Sequence, residues 1–200
     1  MKKKSIALLM AVVMLFGVTM GATIAWLTAE TEVVTNTFTY GDIELKLDEE
    51  VVDKYGVDAD TATANRTDAN IYKLIPGHTY TKDPTVYVKN GSEKCWVFAK
   101  VTVTENVENV IEALPIDTVH WLPLEGVDDV YYYYEPVDVS GVTTEGFTAL
   151  EPVFETFTVT TNADVDTVTT NDSIIIDAYA VQWDGFATAK AAFTTAPTWN

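Results

Sequence analysis

The sequence predicts an all-β fold, a jelly-roll-like antiparallel β-sandwich with one or two short helices, preceded by a cleaved signal peptide. Three observations carry that prediction. Thr and Val supply 30 and 26 of the 200 residues, and these stiff β-branched side chains suit a pleated surface better than a helix. Several segments alternate apolar and polar residues and are separated by turn dipeptides. The chain opens with a basic tripeptide and a long uncharged run, as an export signal does.

Lys2, Lys3 and Lys4 precede a stretch, Ser5 to Ala29, that holds no charge. Such a run can span a bilayer, so an uncleaved anchor is the alternative to a signal peptide. Small residues at Gly21, Ala22, Thr23 and Ala25 favour cleavage. Thr23 and Ala25 fill the small positions a signal peptidase requires, which places the scissile bond between Ala25 and Trp26. Ala29 is the next candidate. The chain then divides into a signal peptide (1–25), an extended N-terminal segment (26–40) and a single β-sandwich domain (41–200). Cleavage removes three of the 12 basic residues and none of the 30 acidic ones, taking the net charge from −18 to −21. That surface repels nucleic acid and anionic lipid.

Within the domain, "FTYGDIELKL" (38–47) sets Ile43, Leu45 and Leu47 against Asp42, Glu44 and Lys46, the mark of a half-buried strand. Gly41 beside Tyr40 suggests a bulge. Residues 48–70 are charged and weakly patterned, so a long surface excursion is expected. Pro76-Gly77 makes a turn, "TVYVKN" a strand, and Asn90-Gly91 a hairpin. The return strand would place Cys95, Val97, Ala99, Val101 and Val103 on one face. "ENVENVIEAL" (105–114) has Val107, Val110, Ile111 and Leu114 at helical spacing, with Pro115 as a stop. A hairpin is expected around "EGVDD" (125–129), with tyrosines 131–134 on both faces of its second strand. "FETFTVTT" (154–161) is another strand. "SIIIDAYAVQWDGF" (173–186), apolar on both faces, is expected to be central in a sheet. "GFATAKAAF" adds a helical turn.

No catalytic, cofactor-binding or metal-binding set emerges. His78 and His120 are the only histidines, and neither has a second ligand at metal spacing. "DVDTVTTND" (164–172) lacks the Gly and terminal Glu of a calcium loop. Cys95 stands alone, so it forms no intramolecular disulfide and reads as a small core residue, with an intermolecular bridge as the alternative. Trp96, Trp121 and Trp183 are expected in the core, with a carbohydrate-binding face as the other reading. Neither a nucleophile elbow nor a phosphate loop occurs.

Three segments in order resemble the TasA/camelysin family of secreted Gram-positive matrix proteins. They are "ATIAWLTAETEVVTNTFTYGDIELKL", "LIPGHTYTKDPTVYVKNGS" and "IDAYAVQWDGF". The resemblance implies a jelly-roll domain, export through a SipW-type signal peptidase, and a homopolymer in biofilm-matrix fibres, with an accessory matrix protein as a further partner. Residues 104–172 match the family poorly. Some of its relatives are catalogued as metalloproteases, an activity for which this sequence offers no metal triad. The expectation is therefore a non-enzymatic fibre subunit without a cofactor. A camelysin-like surface metalloprotease and a monomeric adhesin or glycan-binding module are the alternatives.

The segment "WLTAETEVVTNTF" (26–38) joins the first strand with no linker. Freed by cleavage, it is expected to add to the sheet of the next subunit as a donated strand. Trp26, Leu27, Val33, Val34 and Phe38 would be its anchors. Trp26, Val34 and Phe38 share one face and Leu27 and Val33 the other, so the strand would be buried on both sides or bulged.

Overall fold

The computed structural model describes residues 42–57 and 65–194. Two four-stranded sheets form the domain. The first holds β1 (Leu45–Glu50), β2 (Arg66–Thr67), β4 (Thr85–Lys89) and β8 (Phe147–Ala149), in the order β2-β1-β4-β8. The second holds β5 (Cys95–Val103), β6 (Trp121–Pro123), β7 (Val130–Tyr133) and β10 (Ile174–Gln182), in the order β10-β5-β7-β6. A small ladder joins β3 (Thr79–Thr81) to β9 (Thr156–Thr158), and every pairing is antiparallel. Two short helices, α1 (Glu105–Glu108) and α2 (Ala189–Phe193), complete the described elements with a 3₁₀ turn at Val165–Thr167. The domain is mostly antiparallel β-sheet, an all-β sandwich.

Alternation decides which side chains meet between the sheets. Val86 and Val88 of β4 face Cys95, Val97, Ala99 and Val101 of β5, with Ile43, Leu45 and Leu47 joining from the β1 segment. Asp42, Glu44 and Lys46 are exposed, as the pattern predicts. The opposite face of β5 carries Trp96 and Phe98 into a separate cluster, which Ala189 and Ala192 of α2 cover. A third cluster stacks Tyr80 on Phe157, ring centroids 4.9 Å apart, above Val107, Val110 and Ile111. The expected hairpin at 125–129 forms between β6 and β7. Tyr131 and Tyr133 face the main core while Tyr132 packs in the outer cluster.

Four expectations are corrected. Asn90-Gly91 turns the chain, with Gly91 at φ +82°, but β4 and β5 belong to different sheets. The amides of Asn90 and Gly91 donate to Gly146 and Val139, so the turn crosses the sandwich instead of closing a hairpin. β5 is apolar on both faces and needs cover on both, which the middle of the second sheet provides. The helix at 105–114 is only α1, because Glu112 N–H donates to Thr158 and Ile111 bridges Val159. Its spacing still finds the buried residues; strand pairing overrides the helix propensity. Residues 48–70 are not one surface excursion: β1 runs on to Glu50, with Asp48 and Glu49 buried. Last, β10 is not central. Among the described residues it pairs with β5 alone and forms an edge.

Candidate functional site

The edge of β10 lies against β1, and the two strands run antiparallel along one flank without sharing a sheet. Their relative direction follows from backbone bonds. Glu93 N–H donates to Asp42 O at 3.1 Å, and Trp183 N–H donates to Lys94 O at 2.8 Å, so the start of β1 meets the end of β10. At the other end, Leu47–Glu49 and Ile174–Ile176 line one cleft of about 900 Å³. The chain thus enters β1 at the end of the flank opposite the cleft.

The cleft is of mixed character, with apolar side chains on part of its wall. Leu74, Val165, Val168 and Phe157 contribute, and its rim carries Ile71 and Ile175, which are 87% and 46% exposed. Two isoleucines left in water beside an open strand edge are unusual in an edge that merely faces solvent, where charges or proline are the common devices.

The floor is ionic and paired. Lys82 Nζ bonds Glu49 Oε2 at 2.5 Å, with both side chains nearly buried. Asn70 ties the same carboxylate to the backbone: its N–H and Nδ2 each reach Glu49 Oε1 at 3.0 Å, and Nδ2 also reaches Glu50 O. Arg66 bridges Asp48 (2.8 Å) and Asp83 (2.5 Å). Burial pushes the Asp48 carboxyl up, but hydrogen bonds from Lys46 and Arg66 outweigh it and hold the group below the usual carboxylate range. This network fixes the strap at 65–74 over β1. Sequence reasoning missed it, because nothing in a charged run announces which carboxylates will find cations from Lys82 and Arg66.

The remaining candidates are scattered. Ala25, Trp26, Leu27, Val33, Val34 and Phe38 lie outside the described residues, as does Gly41. His78 Nε2 lies 2.9 Å from Tyr55 O and its ring packs edge-on against Tyr80. His120 Nδ1 pairs with Asp117 Oδ2 at 2.5 Å, far along the chain in the β6 region. Among the described residues no group of three or more His, Cys, Asp or Glu is arranged to hold a metal ion. Asp172 instead staples its own loop, accepting from Thr169 N and Oγ1 at 2.8 Å. Cys95 is fully buried, and burial pushes its thiol up to about 11, so it packs as a small core residue. Trp121 is buried between the sheets, its indole N–H donating to Glu151 O at 2.8 Å, while Trp96 lies in the outer cluster. Trp183 is partly exposed beneath Lys94 Nζ. The three do not share one face.

Among known proteins, the chain matches no family model, no curated protein and no solved structure.

Proposed function

We propose that this chain is a secreted structural subunit of biofilm-matrix-type fibres, with a jelly-roll fold, and that it polymerises head to tail by strand donation. The observation that carries the reading is the long edge of β10, paired on one side only among the described residues, beside an open cleft with apolar side chains on its wall. A SipW-type signal peptidase cutting between Ala25 and Trp26 would free residues 26–38 for donation. The donated strand of one copy then reaches the cleft of the next. Because each copy donates to the next and accepts from the one before, the contact is head to tail and, where the rotation between copies does not close a ring, grows a filament. Trp26, Leu27, Val33, Val34 and Phe38 are the anchors, at about 1.5–3 kcal/mol each. Association costs on the order of 4–15 kcal/mol, so ladder bonds to β10, about 0.5–1.5 kcal/mol each, tip the balance.

The role is non-enzymatic and needs no cofactor. His78→Ala and His120→Ala are expected to leave fold and assembly intact; chelator-sensitive proteolysis lost in either variant would contradict this. The test of strand donation is deletion of residues 26–35 from the mature protein, read by circular dichroism and electron microscopy. A folded truncation that makes no fibres is the expected result. Normal fibres from it would rule the reading out.

A further inference from the structure

One carboxylate in the cleft floor holds an amine and an amide at once. Glu49 Oε2 accepts from Lys82 Nζ at 2.5 Å, and Glu49 Oε1 accepts from Asn70 Nδ2 at 3.0 Å. The amide is held at both ends: Nδ2 also donates to Glu50 O at 2.7 Å, and Asn70 Oδ1 accepts from Val52 N–H at 3.1 Å. Acceptors at its nitrogen and a donor at its oxygen leave the amide a single orientation. The Lys82 and Glu49 side chains are only 10% and 5% exposed, so little water competes for either. Elsewhere among the described residues these components come apart. Lys89 and Lys190 pair with Glu44 and Glu125 in water, with no side-chain amide on either carboxylate, and Asp172 holds the Asn106 amide without a lysine.

We infer that Lys82 and Asn70 join through a self-catalysed isopeptide bond, Nζ to Cγ, with Glu49 as the proton carrier and ammonia as the leaving group. Lys82 Nζ passes a proton to Glu49 Oε2 along their hydrogen bond, which turns two buried charges into a neutral amine and a neutral acid. The amine is then the nucleophile. It attacks Asn70 Cγ, and the carbonyl electron pair moves onto Oδ1, where the Val52 N–H already points. A second proton leaves Nζ and Nδ2 gains one. The Cγ–Nδ2 bond breaks as the carbonyl re-forms, and Nδ2 departs as ammonia. Of the two protons that Nζ has lost, one is in the ammonia and the other stays on Glu49. No oxidant or co-reactant enters the balance. The reaction also replaces a buried ion pair, costly to desolvate, with neutral groups. Attack requires Nζ within about 3–3.5 Å of Cγ, and the flexible stem of Lys82 covers the step from one oxygen of the shared carboxylate toward the other. The bond ties the strap at 65–74 to the connection between β3 and β4, around Glu49 of β1. It stands whether or not strands are donated.

Lys73 lies between the two partners, so trypsin cuts an unlinked chain into a peptide 67–73 that holds Asn70 and a separate one that starts at Leu74 and holds Lys82. The experiment unfolds the full-length protein, digests it with trypsin and reads the peptides by mass spectrometry. The expected product is one branched species, 67–73 joined to 74–89, uncut after Lys82 and lighter by one ammonia than its two peptides together. Separate peptides with Asn70 intact overturn the inference. So does a loss of ammonia with the peptides still separate, which is ring closure of Asn70 onto its own backbone. Lys82→Arg keeps a cation for Glu49 but has no amine nucleophile, so it should fold by circular dichroism and give no branched species. Glu49→Gln keeps the shape of the side chain but cannot take up the proton, and should lower the linked fraction about tenfold or more. A folded Glu49→Gln protein that links as completely as the unaltered chain would overturn the role given to Glu49. If neither variant folds, the digest of the unaltered chain decides.

Discussion

The two flanks of the sandwich end differently. On one, the edge strands β6 and β8 have three residues each, and β6 ends in Pro123, which has no amide to donate. The chain at 150–154 closes that flank. Leu150 N–H donates to Val86 O, Val153 N–H to Pro84 O, and Asp117 N–H to Val153 O, so both sheets are laced together. Leu150, Val153, Phe154 and Trp121 are buried behind them. On the other flank β10 presents nine residues, and Ile175 lies in water. Short edges, proline and cover are what proteins use to stop strands from pairing with other molecules. One flank uses all three. Among the described residues the other leaves Ile174–Asp177 paired on one side only, with the charge of Asp177 as its one such device, and under the strand-donation proposal that is the flank a partner strand would use.

If the closed flank is structural, truncating its core should cost the most. Phe154→Ala removes a side chain that is 1% exposed and should lower the unfolding free energy by about 3–5 kcal/mol, measured in urea. On the open flank the buried stake is ionic. Lys82→Met leaves Glu49 without its cation, and the expected loss is about 3–5 kcal/mol. A smaller loss would mean that Asn70 alone satisfies that carboxylate.

Gly56, in the turn after β1, comes next. At φ +72° it is left-handed, and a Cβ there would lie 2.8 Å from Tyr80 Cα, a backbone atom that cannot yield cheaply. Gly56→Ala should cost more than about 1 kcal/mol, and thermal unfolding would register it.

Acid should act on both flanks. Asp48 on the open side is lowered despite burial, through Lys46 and Arg66, and Asp117 on the closed side is lowered despite burial by its hydrogen bond from His120. A depressed folded value means that the contribution is complete above the unfolded value of about 4 and is lost as pH falls through the folded one. Stability should therefore hold at neutral pH and decline below about pH 4. A decline already evident near pH 6 would point to other groups.

The smallest effect on stability should come from the most consequential substitution for assembly. Ile175→Lys changes an exposed side chain and should shift stability by about 0.5 kcal/mol or less. It also places an edge lysine where a donated strand must pair, and fibres should disappear.

Much of the fold was legible because side-chain alternation reports faces. Alternation alone puts Ile43, Leu45 and Leu47 on one face of their strand and Cys95, Val97, Ala99, Val101 and Val103 on one face of theirs, and both agree with the packing. Edges were not legible, since they are written in backbone hydrogen bonds that no side chain encodes. "SIIIDAYAVQ" is apolar on both faces whether or not a strand lies beside it, so its position at the edge was invisible. The Asn90-Gly91 turn had the right local chemistry, but the destination of the next strand was decided by the two-faced burial of β5. At the cleft, Glu49 and Lys82 are 33 residues apart, and a pairing over that distance leaves no periodic trace.

Hydrogen exchange along Ile174–Asp177, measured on the monomer and on assembled fibres, tests the central claim most directly. The amides of these residues that point away from β5 should exchange freely in the monomer and become protected in the fibre, while those bonded to β5 stay protected in both. Fibres in which the outward amides exchange as fast as in the monomer would show that β10 receives no strand, and the account would be wrong.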